Sequence, residues 1–297
     1  MNRLYTGVVK SSAKAKEEQG LEHISAPSRS FERALGDLHS GWQARPLWLY
    51  LGWQDIKQRY RRSILGPLWI SISMGVVALA MGILYAALFN EKIYFFLPYL
   101  ATGMLIWNFI NGCILEGSEV FIANEGLIKF LPAPLSLHVF RLVWRQTLFF
   151  LHNVIVWAIL MAIFPRPLGW QVLLALPALL LLVINGAWIA IATGTLATRF
   201  RDIPPIIASM AQLIFFMTPI VWNYDTFRNS PNPHVAERAR LAELNPVMHF
   251  LEILRQPMLG ERIVWHHWLV VGGITVVGWA IALLMLRNYR SRVAYWV

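Results

Sequence analysis

Six stretches of this chain contain no Asp, Glu, Lys or Arg and run for at least 20 residues each: 63–90, 93–115, 146–165, 167–198, 203–224 and 263–286. Few sequence features restrict a fold so severely. A bilayer core of about 30 Å is crossed by roughly 20 helical residues rising 1.5 Å each. A spanning helix also satisfies its own backbone hydrogen bonds where no water can. The runs are far longer than the roughly ten alternating residues of a barrel strand. Only 14% of the residues are charged, against about 25% in soluble domains. The expected fold is an all-α integral membrane protein, a six-span helical bundle with spans near 68–89, 96–115, 147–164, 172–198, 204–222 and 265–286.

The net charge of +10 follows this topology. With alternating spans, one side collects the basic residues of 1–62, Lys129, Arg141, Arg145, Arg199, Arg201, Arg287, Arg290 and Arg292, nineteen of the 26 in the chain. The positive-inside bias then places both termini in the cytoplasm. A basic membrane face accounts for the charge without nucleic acid. Residues 1–30 are polar and lack an apolar signal core, so a disordered cytoplasmic tail is expected, with the first span directing insertion. Cys113 stands alone, which leaves no disulfide framework within one chain and suits a small packing residue.

Several segments carry more than topology. Residues 55–69 read DIKQRYRRSILGPLW, a basic run that turns at Gly66-Pro67 into the first span. Pro46 opens an amphipathic helix there, and Leu49, Trp53, Ile56 and Tyr60 share one face at helical spacing. Such a helix lies along the interface, with Lys57, Arg59, Arg61 and Arg62 placed either to meet anionic headgroups or simply to anchor the chain. In the second span Trp107, Asn108 and Asn111, with Gly103 and Gly112, suit helix packing or a pore wall.

The loop NEGLIKFLPAP, 124–134, predicts a short helix capped by Asn124 and stopped by two prolines. Leu127, Ile128 and Leu131 give it an apolar side for another protein's groove or for lipid. RFRDIPP, 199–205, forms a second charged turn. Residues 245–259 are too short to cross a bilayer and are interrupted at Pro257, so a re-entrant or interfacial segment is expected. His249, Glu252 and Arg255 recur every three residues as a polar stripe facing a water-filled opening, unless this is a cap helix on the outer leaflet.

No phosphate-binding G-x-x-x-x-G-K-[ST] loop is present, and no charged relay lies deep in a span. His266 and His267 are adjacent, where helical side chains diverge. Catalysis by this chain alone is not expected, nor is a cofactor of its own.

Taken together, DIKQRYRRSILGPLW, NEGLIKFLPAP, RFRDIPP, MTPIVW and LNPVMHFLEILRQPMLG, in this order, resemble the type 2 ABC exporter permeases of polysaccharides. The form of the first is most similar to O-antigen exporters, with capsule and teichoic acid exporters as neighbours and exporters of drugs or small lipids further off. The resemblance implies a homodimer with two copies of a separate subunit that binds ATP and Mg. The pair would pass undecaprenyl-pyrophosphate-linked polysaccharide across a bacterial inner membrane. It implies that Lys57, Arg59, Tyr60, Arg61 and Arg62 meet the lipid pyrophosphate. Asn124, Glu125, Leu127, Ile128 and Lys129 would couple to the ATP-binding subunit. His249, Glu252 and Arg255 would belong to the outer gate. Trp107, Phe215, Phe216 and Trp222 are the aromatic candidates for stacking on sugar rings in the channel.

Overall fold

A computed structural model describes residues 29–297 except Arg62 and Pro132. The polar tail expected over 1–30 lies outside the described residues save for Arg29 and Ser30, as does Arg62. Among the described residues the chain is all helix and loop, without a strand.

Two helices precede the bundle. α1 (Phe31–Gln43) is capped by Ser30, whose hydroxyl accepts from the Arg33 N–H at 3.2 Å. α2 (Arg45–Arg59) carries Pro46 in its first turn, where the missing N–H would have had no partner anyway. The buried face of α2 is Trp48, Gly52 and Ile56. Of the expected stripe only Ile56 is fully buried, and Trp53 is 41% exposed. The reason is a protein partner: α2 packs on the third span, where Trp144 donates to the Leu49 carbonyl at 3.2 Å. A Cβ at Gly52 would fall 2.7 Å from the Trp144 ring, so only glycine permits the contact. The apolar side chains left outside are Leu47, Tyr50 and Trp53, and these fit a headgroup boundary.

Among the described residues, five helices are long and apolar enough to cross a membrane. They are α3 (Leu68–Leu88), α4 (Ile93–Ser118), α6 (Leu135–Ile163), α7 (Ala175–Arg199, entered by a 3-10 turn at Trp170–Leu174) and α12 (Trp265–Trp296). The short α5 (Glu125–Phe130) lies between α4 and α6. α4 is the axis, with Phe96, Leu100, Leu105 and Ile106 all buried. It meets α7 through small residues, Gly117 against Ala190 and Cys113 against Gly186. In lipid, where apolar burial drives little, such close backbone approach is what holds helices together. The outer spans turn Val76, Leu84, Leu269 and Val276 outward, each more than half exposed, as lipid contact requires.

The expected fifth crossing differs. Its helix, α8 (Ile203–Met217), has 15 residues and spans about 22 Å, less than a bilayer core. It stops because the residue before Pro219 is disfavoured in helix, and Thr218 is extended at φ −89° and ψ 138°. The chain continues as buried coil, with Thr218 and Ile220 at 0% exposure. Three short elements follow: α9 (Tyr224–Arg228), α10 (Pro233–Arg240) and a 3-10 turn at Leu241–Leu244. α11 (Pro246–Leu259) comes next and is almost wholly buried. It runs through Pro257 rather than breaking there, and ends at Gly260, whose φ of 69° is left-handed.

Asp37 ties the first helix to the bundle. Its buried carboxylate accepts from the Leu135 and Ser136 N–H groups at 3.1 and 2.9 Å, capping α6 from 98 residues away. Arg290 of α12 donates to it at 2.7 Å. Asp37→Ala removes a cap and leaves two buried amides bare, so it should destabilise the fold by roughly 3 kcal/mol. Thermal unfolding in detergent checks this, and Asp37→Asn should recover part of the loss.

Candidate functional site

The basic end of the bundle is assembled around one carboxylate. Asp55 accepts from Arg141 at 2.5 and 2.9 Å and from Arg145 at 3.0 Å, and Arg145 reaches on to Glu116 at 2.5 Å. This chain of ion pairs locks α2 onto α6 and onto the end of α4. Lys57, Arg59 and Arg61, on the same stretch, are exposed and form no ion pair among the described residues. The acid of the segment is therefore spent on anchorage and its cations stay free. Arg59 stands 5.5 Å from the Phe149 ring centroid, and Tyr60 is half-buried beside it.

Arg59 and Tyr60 mark the mouth of a cavity of about 380 Å³ between α3, α4 and α6, lined further by Ser73, Asn108, Gln146 and Asn153. A second cavity of about 390 Å³ lies between α4 and α8, lined by Trp107, Asn111, Gln212, Phe215 and Phe216. Met104 and Asn108 line both. α3 and α8 each pack on α4, so the two cavities are halves of one groove whose floor is α4. Trp107 and Phe215 are in ring contact at 5.5 Å, and Phe215 and Phe216 at 5.2 Å. Aromatic faces alternate there with amide side chains. Trp222 lines neither cavity; it meets Phe227 edge-on at 5.6 Å and donates to the Phe216 carbonyl. Gln212 and Gln146 are not among the residues that the sequence points to; unlike Asn108 and Asn111, neither has a second amide within one helical turn.

α5 is a six-residue helix whose last side chains project from the basic end: Phe130 is 85% exposed, and Leu127 and Leu131 are also open. Phe130 is the residue the sequence reading passed over. Ile128 packs partly into the core, and Lys129 bridges to Glu125 at 2.6 Å, which holds the Glu125 carboxyl below its usual range. Asn124 occupies the cap position without capping. Its amide donates instead to the Val120 carbonyl at 2.7 Å, one turn back.

At the other end, the stripe on α11 faces protein rather than water. His249, Glu252 and Arg255 are 3%, 7% and 1% exposed. Arg255 pairs with Glu252, donates to the Pro219 carbonyl at 2.6 Å and lies 3.9 Å from the Tyr99 ring centroid. Tyr99 donates to the same carbonyl at 3.2 Å, and Asn245 reaches the Thr218 hydroxyl at 2.8 Å. The non-helical segment after α8 is thus satisfied by α4 and α11, the condition for irregular backbone at membrane depth. His249 touches both His266 and His267, with ring centroids 5.4 and 4.9 Å away. Their divergence on α12 is bridged by a third ring, although no metal-binding group of side chains forms among the described residues.

In the loop after α11, burial pushes the Glu261 carboxyl up to about 6, against the pull of Arg255 and Arg166. The folded protein then holds a proton that the unfolded chain releases near 4.5. Stability should fall by up to about 2 kcal/mol as pH rises from roughly 4.5 through 6. Glu261→Gln should flatten that limb in melting curves taken across this range.

The comparisons with known proteins bear on the whole arrangement. Two O-antigen export system permease proteins of Klebsiella pneumoniae are 28% and 25% identical to the chain over 175 and 173 residues, 58% of it and 67% of each relative. One from Myxococcus xanthus is 21% identical over 210 residues, 71% of the chain and 79% of the relative. The pattern of the ABC-2 type transporter family matches residues 46–259, from the first turn of α2 to the end of α11, and the chain belongs to that family.

Proposed function

We propose that the chain is the membrane-spanning subunit of an exporter that moves a lipid-linked polysaccharide of the O-antigen type across the bacterial inner membrane. The observation that carries this reading is the groove on α4: aromatic faces and amides along its floor, with the exposed Arg59 of α2 at its mouth and Lys57 and Arg61 on the same stretch. Aromatic rings and amides suit sugar faces and hydroxyls. Guanidinium and ammonium groups suit a pyrophosphate that hydrocarbon would otherwise exclude. A drug or small-lipid exporter would call for a drier wall than Asn108, Asn111 and Gln212 provide. Capsule and teichoic acid polymers share the same chemistry and remain within it.

ATP is hydrolysed by a separate subunit in this reading, with α5 as the contact. Its apolar tip, Leu127 and Phe130, is open at the basic end, which is cytoplasmic by the positive-inside bias. Two copies of the chain face each other across α8. Only Ala211 of that helix is buried in one copy, while Ile206, Met210, Leu213 and Phe216 are open to a neighbour. His249, Glu252 and Arg255 then brace the outer gate rather than line its opening.

Reconstitution into proteoliposomes with the co-encoded ATPase and a lipid-linked glycan tests the assignment. ATP-dependent movement of the glycan is the expected result. Movement without the ATPase would indicate a secondary transporter, and no movement with it would leave a scaffold.

A further inference from the structure

The half of the groove between α3, α4 and α6 contains two amides that the protein itself does not use. Gln146 is 4% exposed and its Nε2 has no hydrogen-bond partner; Asn153 is 5% exposed and its Oδ1 has none. Both line the cavity entered beside Arg59 and Tyr60. Buried polar groups are almost always paired, so two orphans in one cavity point to a partner that arrives from outside. The chain also keeps room for one of them: a Cβ at Gly112 would fall 2.3 Å from the Gln146 Oε1.

The chemistry of that partner can be read from the wall. An amide donates and accepts at once, as a hydroxyl does. Phe109, Phe149 and Phe150 supply aromatic surface beside the amides, and Arg59 supplies a cation at the entrance. The cavity volume is at the small end of the roughly 300–1,000 Å³ of small-molecule sites. An ordinary phospholipid fits this wall poorly. Asn153 lies seven residues beyond Gln146 along α6, about 10 Å deeper, where a phospholipid seated on Arg59 offers only hydrocarbon.

We propose that this cavity recognises the sugar residues nearest the lipid phosphate, with Gln146 and Asn153 as specificity-determining side chains and Arg59 at the phosphate. The lipid tail stays in the bilayer outside the groove. This rests on the reading of the chain as an exporter of lipid-linked polysaccharide, and it adds which part of the substrate is selected before transport.

The test is equilibrium binding to the full chain in nanodiscs, using undecaprenyl pyrophosphate with and without one N-acetylhexosamine. The wild type should bind the sugar-bearing lipid at least ten-fold more tightly. Gln146→Leu and Asn153→Leu should lose that preference while binding the bare pyrophosphate as the wild type does, which also reports that they are folded. Gly112→Ala should act in the same direction by displacing an intact Gln146. Equal binding of both lipids by the wild type, or preference retained in the Leu variants, overturns the proposal. So does displacement of the sugar-bearing lipid by phosphatidylglycerol at equal concentration, which would mark a phospholipid site. A wild type that binds neither pyrophosphate lipid defeats the exporter reading itself.

Discussion

Arg255→Met is expected to lower the stability of the protein by roughly 3–5 kcal/mol, the cost of leaving a buried charge without its partner. Glu252 would remain inside α11, and the Pro219 carbonyl would lose a donor where the chain has no helix to satisfy it. The 3.9 Å contact with the Tyr99 ring would go as well. A double variant, Arg255→Met with Glu252→Gln, should recover much of the loss because no bare carboxylate remains. Thermal unfolding in detergent separates the two. A single variant that melts with the wild type would mean that the knot does not hold the end of α8.

The second large effect concerns transport. In the proposed exporter, Arg59→Gln together with Arg61→Gln should cut ATP-driven export at least ten-fold while the variant still assembles with the proposed ATPase partner. Neither residue is ion-paired among the described residues, and both are exposed, so the fold should not notice their loss. A pyrophosphate would: without charge-assisted bonds at the mouth of the groove it has no favourable path off the headgroup layer. Export at the wild-type rate would remove the headgroup role from this stretch.

The spans were legible because bilayer thickness and backbone hydrogen bonding leave a long charge-free run few alternatives. The helix before them was legible in position but not in orientation. Leu49, Trp53, Ile56 and Tyr60 share a face by spacing, yet spacing says nothing of Trp144, which lies 95 residues from Leu49 in the chain and claims the neighbouring face through Gly52. The same limit explains α11. A period of three places His249, Glu252 and Arg255 together, but what covers them is a carbonyl on another segment. The α8 boundary could have been read from Thr218-Pro219, a signal outweighed by the absence of charge up to residue 224. Gln146 and Asn153 were invisible as a pair, since only the packing of α3, α4 and α6 encloses them in one cavity.

One joint in the chain decides which parts can move separately. Between α2 and α3, residues 63–67 contain the left-handed Gly66, at φ 54°, and the fully exposed Ile64. α2 is fastened elsewhere, through Asp55 to Arg141 and Arg145. The link between the first span and α2 is therefore a short loop without packing of its own, while the cationic sill beneath the span stays bolted to the frame. A headgroup held at that sill would keep its place if the span shifted, although any shift must first part Met74, Ala78 and Ala86 from the core and break the Ser71 bond to the His152 carbonyl.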